Sequence, residues 1–237
     1  MTITLQVPTT NHLLTALPDA ERNAVMADCE TVELAFNEVL LQPGDPVTYV
    51  YFPIDCFISL IAVVDTDDRL EVTMAGREGM LGTSVVLGVE DTPLLSLVQG
   101  AGSALRISAV RFRKLLEKCP VLNKRMRGYV YVVMNQLAKT AACNHFHEIE
   151  ARLARWLLMT QDRASSDQLY LTHEFLAMML GVRRAGVTLA AIALQTRGLI
   201  GYQRGEIDVL NRSGLIEASC KCYQEDTALY ARVLTSL

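Results

Sequence analysis

The sequence predicts an α+β chain: a β-rich front half, one long helix, then two short helices followed by a β-ribbon. Three observations carry that reading. Short apolar runs separated by turn residues recur from Thr31 to about Ile107, all seven prolines lie at or before Pro120, and Leu171 to Val209 switches from helical spacing to alternation. Many short strands at near-regular spacing predict a sandwich, roll or barrel. A proline-free back half is free to be helical.

At 237 residues the chain has room for two modest domains. It is 51% hydrophobic and 20% charged, the balance of a packed globular protein rather than a disordered one. No apolar run is long enough to span a bilayer, and residues 1–14 place no basic residue ahead of an apolar core. A cytoplasmic location without a membrane partner is therefore expected. The net charge of −4 hides an asymmetry: residues 1–110 carry 15 acidic and 4 basic side chains, whereas residues 111–237 carry 11 acidic and 18 basic. An acidic front joined to a basic back is what a regulatory domain joined to a polyanion-binding domain would show.

Along the chain, residues 11–29 read as short helices with Leu13, Leu14, Leu17, Val25 and Met26 apolar. Strand-like runs follow at 38–41, 47–52, 56–64 and 70–74, with turn clusters at 43–46, 53–55, 65–68, 76–79 and 100–102. Ser108 can cap an amphipathic helix reaching Lys118. After Pro120, the stretch Val121 to Asn144 contains no breaker except Gly128. Met126, Val130, Val133, Leu137, Thr140 and Asn144 recur at alternating steps of four and three, the a/d seam of a helix that can pair with a second copy of itself. Tyr129, Tyr131, Val132 and Met134 make the other faces apolar as well, so a helix buried within its own chain is the competing reading.

A helix from about His147 to Gln161 and a polar loop at 162–168 lead into the C-terminal motif. Thr172 can cap a helix with Glu174 in its first turn and Phe175, Leu176, Met179 and Leu180 on its apolar side. Gly181 supplies a tight turn, and Val187, Ala190, Ala191 and Leu194 mark a second helix ended by Gly198. Tyr202 to Val209 alternates around Gly205 as a hairpin does. Two short helices, a glycine turn and a β-ribbon make a winged helix-turn-helix, which places its second helix in the DNA major groove. Double-stranded DNA and a second copy of the chain are the expected partners, with RNA polymerase a further candidate.

Other chemistries have weaker support. The six cysteines, Cys29, Cys56, Cys119, Cys143, Cys220 and Cys222, read as reduced core thiols. Cys143, His145, His147, Cys220 and Cys222 have some look of metal spacing, but His145 and His147 are two apart and do not share a helix face. No metal site and no cofactor are expected. No catalytic set can be assembled, so the chain is read as a non-enzyme. The competing function is a ligand-responsive interaction module whose helix-turn-helix makes protein contacts.

With these residues in view, the chain resembles the Crp/Fnr family of bacterial transcription regulators. Val50 to Asp55, the Gly79-Met80-Leu81-Gly82 turn, the long helix after Pro120 and the stretch Glu150 to Leu158 carry the match over nearly the whole length. The resemblance implies an N-terminal β-roll of jelly-roll-like, cyclic-nucleotide-binding type over residues 1–119, a dimerisation helix over 120–146 and a winged helix-turn-helix over 147–237. It implies an effector pocket around Gly79, Met80, Leu81, Gly82, Leu95 and Ser96. Cyclic-nucleotide binders in the family use Gly-Glu-x-Gly followed by Arg-Ser; here Met80 replaces the glutamate and Leu95 stands at the arginine's place. A buried phosphate without a cation is strongly disfavoured, so cyclic AMP is not expected to bind in the usual manner. The pocket is either filled by side chains or holds a more apolar effector of unknown identity. The family's N-terminal iron–sulfur cysteines and haem histidine have no counterparts, since only Cys29 lies in that region and no histidine falls between His12 and His145.

The resemblance also implies DNA-contacting residues. Arg183 and Arg184 open the recognition helix, Arg184 at the position that pairs with guanine, while Ala185 stands where an acid often reads cytosine. Gly186 and Thr188 are expected on the exposed side, Gly186 allowing close approach to DNA. Thr172, His173 and Arg204 are candidates for the phosphate side of the contact.

Overall fold

The computed structural model describes residues 11–64, 68–164, 168–203 and 205–235. Parts of the expected turn at 65–68 and loop at 162–168, and the whole of Arg204, lie outside the described residues. Two short helices, α1 (His12–Thr15) and α2 (Asp19–Asp28), precede seven strands: β1 (Glu30–Leu34), β2 (Val39–Leu41), β3 (Tyr49–Pro53), β4 (Phe57–Val63), β5 (Arg69–Ala75), β6 (Leu95–Gly100) and β7 (Gly102–Ser108). A one-turn helix, α3 (Thr83–Val86), interrupts them. The strands form two antiparallel sheets in the orders β1-β7-β3 and β2-β6-β4-β5, the β-roll the sequence predicts. Inward residues Val50, Phe52, Ile58, Val98, Leu105 and Ile107 are buried together beneath α1, where Asn11 donates to the carbonyls of Pro53 and Gly79.

Ser108 caps α4 (Ala109–Lys118), accepting from the Arg111 amide, and Pro120 opens α5 (Pro120–Phe146). Proline suits that first position, where its missing donor has no intrahelical partner in any case. At His147 the backbone turns extended, and α6 (Ile149–Ala164) starts in a new direction. Four further helices and a three-stranded sheet complete the chain. They are β8 (Gln168–Tyr170), α7 (His173–Leu180), α8 (Arg184–Thr196), β9 (Ile200–Gln203), β10 (Glu206–Val209), α9 (Arg212–Ala218) and α10 (Cys222–Thr235), with strand order β8-β10-β9. The strand β8 and the helices α9 and α10 are additions to what the periodicity predicts. The last of them runs back along α5, where Arg125 donates to the Leu234 carbonyl and Lys139 pairs with Glu225.

The expected dimer seam is partly covered within its own chain, by the β-roll and α6. Met126 is 0% exposed within its own core, Val130 is also buried, Val133 and Leu137 line a cavity of the β-roll, and Thr140 meets the Arg155 guanidinium. The stripe left open on α5 is rotated by one residue. It runs through Arg127, Tyr131, Met134, Ala138 and Ala141, again at steps of four and three, with Tyr131 54% and Met134 61% exposed.

Candidate nucleic-acid interface and sensor cavity

The helix-turn-helix is built as its residues dictate. The Thr172 hydroxyl accepts from the Phe175 amide at 3.1 Å and starts α7. Gly181 ends it in the left-handed region at φ 61°, which only glycine adopts without steric cost. The axes of α7 and α8 then differ by 108°, within the range of DNA-binding helix-turn-helix pairs. Leu176, Met179, Val187, Ala191 and Leu194 close the core between them, together with Leu153, Leu157 and Leu158 of α6. No single helix among the described residues is long and apolar enough to cross a membrane.

The stretch Glu150 to Trp156 is the bracket that holds this domain. Arg152 donates to the Leu180 carbonyl at the end of α7, and Glu150 pairs with Arg197 after α8 at 2.7 Å. Arg155 makes a buried ion pair with Asp226 of α10 at 2.8 Å, and Arg163 reaches Glu78 of the β-roll at 2.8 Å. The Trp156 indole N–H donates to Glu71 of β5 at 2.7 Å. One helix thereby contacts the recognition unit, the C-terminal helix and the β-roll.

The predicted DNA contacts fall into two groups. Arg183 and Arg184 are exposed at the start of α8, with Glu174 3.8 Å from Arg184 and loosely paired at best. They border an open cleft of about 740 Å³ shared with Arg69, Leu70, Asn144 and Arg152, so Arg69 of the β4–β5 hairpin adds a cation that sequence reasoning missed. The hairpin touches the motif itself, since a β-carbon at Gly181 would lie 2.8 Å from Leu70 Cδ1.

His173, Thr188 and Gly186 are half-buried and engage neighbouring elements. The His173 ring stacks on Tyr202 of β9 at 4.3 Å between centroids, and its Nδ1 is 3.0 Å from the Thr188 hydroxyl. Burial, and then the nearby Arg184 charge, hold the His173 pKa below the usual histidine value, so it is a poor phosphate cation. Thr188 also donates back to the Arg184 carbonyl. Gly186 faces α6, where a β-carbon would lie 2.7 Å from Ile149 Cδ1. That close contact gives glycine a packing reason here.

The effector-pocket candidates divide as well. Leu81 and Gly82 line a cavity of about 210 Å³ with Leu41, Leu60, Thr73, Leu94, Val133 and Leu137. Gly79 sits under the Tyr129 ring of α5, where a β-carbon would overlap the phenol oxygen. Met80 is packed in the roll core. Leu95 joins the apolar cluster shared with the DNA-binding domain, and Ser96 is wholly buried on β6. The residues at this end of β6 that reach the cavity are Thr92, Pro93 and Leu94, and no arginine or lysine among the described residues lines it.

Comparison with known proteins agrees with this architecture. Residues 151–218 match the model of the Crp-like helix-turn-helix domain. Among solved structures, FixK2 from Bradyrhizobium japonicum is similar at TM-score 0.69 and 15% identity, covering 81% of this chain and 98% of that one. The c-di-GMP-responsive global regulator CLP of Xanthomonas campestris is similar at TM-score 0.66 and 17% identity, covering 81% and 99%. TTHA1359, a Crp/Fnr-family regulator from Thermus thermophilus, is similar at TM-score 0.65 and 21% identity, covering 80% and 98%. No curated protein matches the chain in sequence. The chain therefore has the fold of the Crp/Fnr transcription regulators and carries a Crp-like helix-turn-helix domain.

Proposed function

We propose that this chain is a homodimeric, sequence-specific DNA-binding transcription regulator. The exposed Arg183–Arg184 pair at the first turn of α8 carries the reading. An arginine there can bond guanine O6 and N7 together, worth about 1–3 kcal/mol of discrimination. The basic back half and Arg69 supply the sequence-independent attraction to phosphate. The open Tyr131–Met134–Ala138–Ala141 stripe on α5 supports a symmetric dimer, its alanines permitting close helix approach.

The β-roll would control DNA binding through the β4–β5 hairpin against the α7–α8 turn and through α6. Its cavity lies below the ~300 Å³ at which ligand sites usually begin. Together with the missing cation, this supports a signal other than a cyclic nucleotide held in the family's manner. The c-di-GMP response of the Xanthomonas regulator is therefore not carried over to this chain. RNA polymerase contact belongs to the reading as an expectation for a transcription regulator.

A second reading has one observation in its favour. Leu189 is 70% exposed and Ile192 53% exposed on the outer face of α8, an apolar surface suited to a protein partner. Gel shifts against genomic fragments separate the two. Arg183→Ala/Arg184→Ala should weaken binding to selected fragments by about tenfold to a hundredfold while fold and dimer persist. Failure of the wild-type protein to bind any fragment across salt concentrations would leave the protein-contact reading.

A further inference from the structure

Three cysteines and a histidine that are far apart in sequence converge where the long helix hands over to the DNA-binding domain. Cys143 lies in the last turns of α5, His147 is the residue that ends it, and Cys220 and Cys222 flank the connection from α9 to α10. Their ligand atoms all lie within 4.8 Å of one another. Cys143 Sγ is 3.5 Å from Cys220 Sγ, and Cys222 Sγ is 3.7 Å from His147 Nδ1. A tetrahedral zinc with bonds of about 2.3 Å to sulfur and 2.0–2.1 Å to nitrogen puts its ligands about 3.6–3.8 Å apart. Two pairs already sit near that spacing, and small side-chain rotations bring in the rest.

We propose that Cys143, His147, Cys220 and Cys222 form a closed, four-coordinate zinc site that staples the end of α5 to the α9–α10 connection. Three thiolates and one imidazole are a donor set that suits zinc in its structural, water-free form. The three cysteines are buried, with Ala151 beside them, as a cluster separate from both hydrophobic cores. A purely apolar thiol cluster would have no use for an imidazole nitrogen facing a sulfur. A Cys143–Cys220 disulfide would leave Cys222 and His147 without a role. On binding, the three thiols release their protons to solvent, and the zinc–thiolate centre carries a net charge of −1.

The surroundings suit such an anionic centre. Arg152 and Arg155 of α6 are buried and interact electrostatically with Cys143 and Cys220. The Nε of each has no hydrogen-bond partner among the described residues. The spacing also explains why the site is hard to read from sequence. Cys143 and His147 are four apart and share a face at the helix end. His145, the more conspicuous neighbour, is exposed, its ring edge-on to Phe146 at 4.5 Å between centroids. Because His147 is where the chain changes direction, the metal would fix the angle between α5 and the DNA-binding domain and hold α10 against both.

The experiment needs no DNA. Full-length wild-type protein, purified without chelator and dialysed, should hold about one zinc per chain by elemental analysis. Cobalt substitution should give the visible bands of a tetrahedral thiolate centre. His147→Ala and Cys222→Ser should lower retained zinc about tenfold or more, a first ligand mattering at least as much as outer-shell partners. His145→Ala should leave it unchanged. If the variants fail to fold, mercurial titration of the wild-type thiols should release the zinc in step with the modification of three of them. Zinc well below one per chain, with six free thiols or with a Cys143–Cys220 disulfide, would overturn the proposal. So would zinc retained equally in His147→Ala and Cys222→Ser.

Discussion

Trp156 of the DNA-binding domain donates its indole N–H to Glu71 of the β-roll at 2.7 Å, and the Ser59 hydroxyl donates to the second carboxylate oxygen. Burial pushes the Glu71 carboxyl up to about 7, against the opposing pull of these two hydrogen bonds and of Arg163 and Arg155. The folded state therefore holds this proton at pH values where the unfolded chain has lost it. Its contribution is fully present below the unfolded pKa near 4.5 and is lost as pH rises to about 7. From the width of that window, the loss is roughly 3 kcal/mol. Glu71→Gln keeps an acceptor for Trp156 and removes the charge. Denaturation at pH 5.5 and pH 8 should show a smaller loss of stability with pH in the variant; equal pH slopes in the two proteins would contradict this.

The β-roll and the helix-turn-helix were legible because their apolar residues follow one period each and their turns fall at glycine or proline. The long helix was legible in extent but not in orientation. Apolar residues occupy every face of α5, so period alone cannot choose between Met126–Val130–Leu137 and Tyr131–Met134–Ala138. Within the chain the β-roll lies against the first set and leaves the second open. The neighbours of Gly186 and Thr188 were not legible, because a helical wheel does not show that α6 brings Ile149 and α7 brings His173 to that side. The Cys143–Cys220 approach spans 77 residues, which no local pattern encodes.

The Arg155–Asp226 pair joins α6 to α10 with both side chains under 10% exposed. Removing one partner leaves the other charge buried. Asp226→Ala should therefore cost about 3–5 kcal/mol, whereas replacing both by Arg155→Met/Asp226→Leu should cost far less. Urea denaturation of the single and double variants checks this; equal losses in the two would show that α10 depends on shape rather than on the pair.

His173 makes a prediction of opposite sign to that of Glu71. Its folded pKa is held below the usual 6.5 by burial and by Arg184. Its contribution to stability is therefore present above pH 6.5 and is lost as pH falls below it. His173→Phe keeps a ring stacked on Tyr202 and should flatten the acid side of the stability profile. A neutral histidine releases no counterions, so the salt dependence of DNA binding at about pH 7.5 should not change in this variant. A slope smaller by about one would restore His173 as a phosphate contact.

Gly186→Ala separates packing from DNA approach. Alanine gains at most about 1 kcal/mol of helix propensity, less in this first turn of α8 than in a helix interior. Against that stands the overlap with Ile149 Cδ1, 2.7 Å from the added carbon. The clashing atom is the end of a flexible side chain, so it can rotate away at a cost comparable to the gain. The single variant should therefore lie within about 1 kcal/mol of wild type. Gly186→Ala/Ile149→Val, which deletes the clashing methyl, should be more stable than Ile149→Val alone, by up to about 1 kcal/mol. Since the new methyl points at α6, affinity for a selected DNA fragment should be unchanged in both. A tenfold loss of affinity in Gly186→Ala with unchanged stability would instead place this position against the DNA backbone.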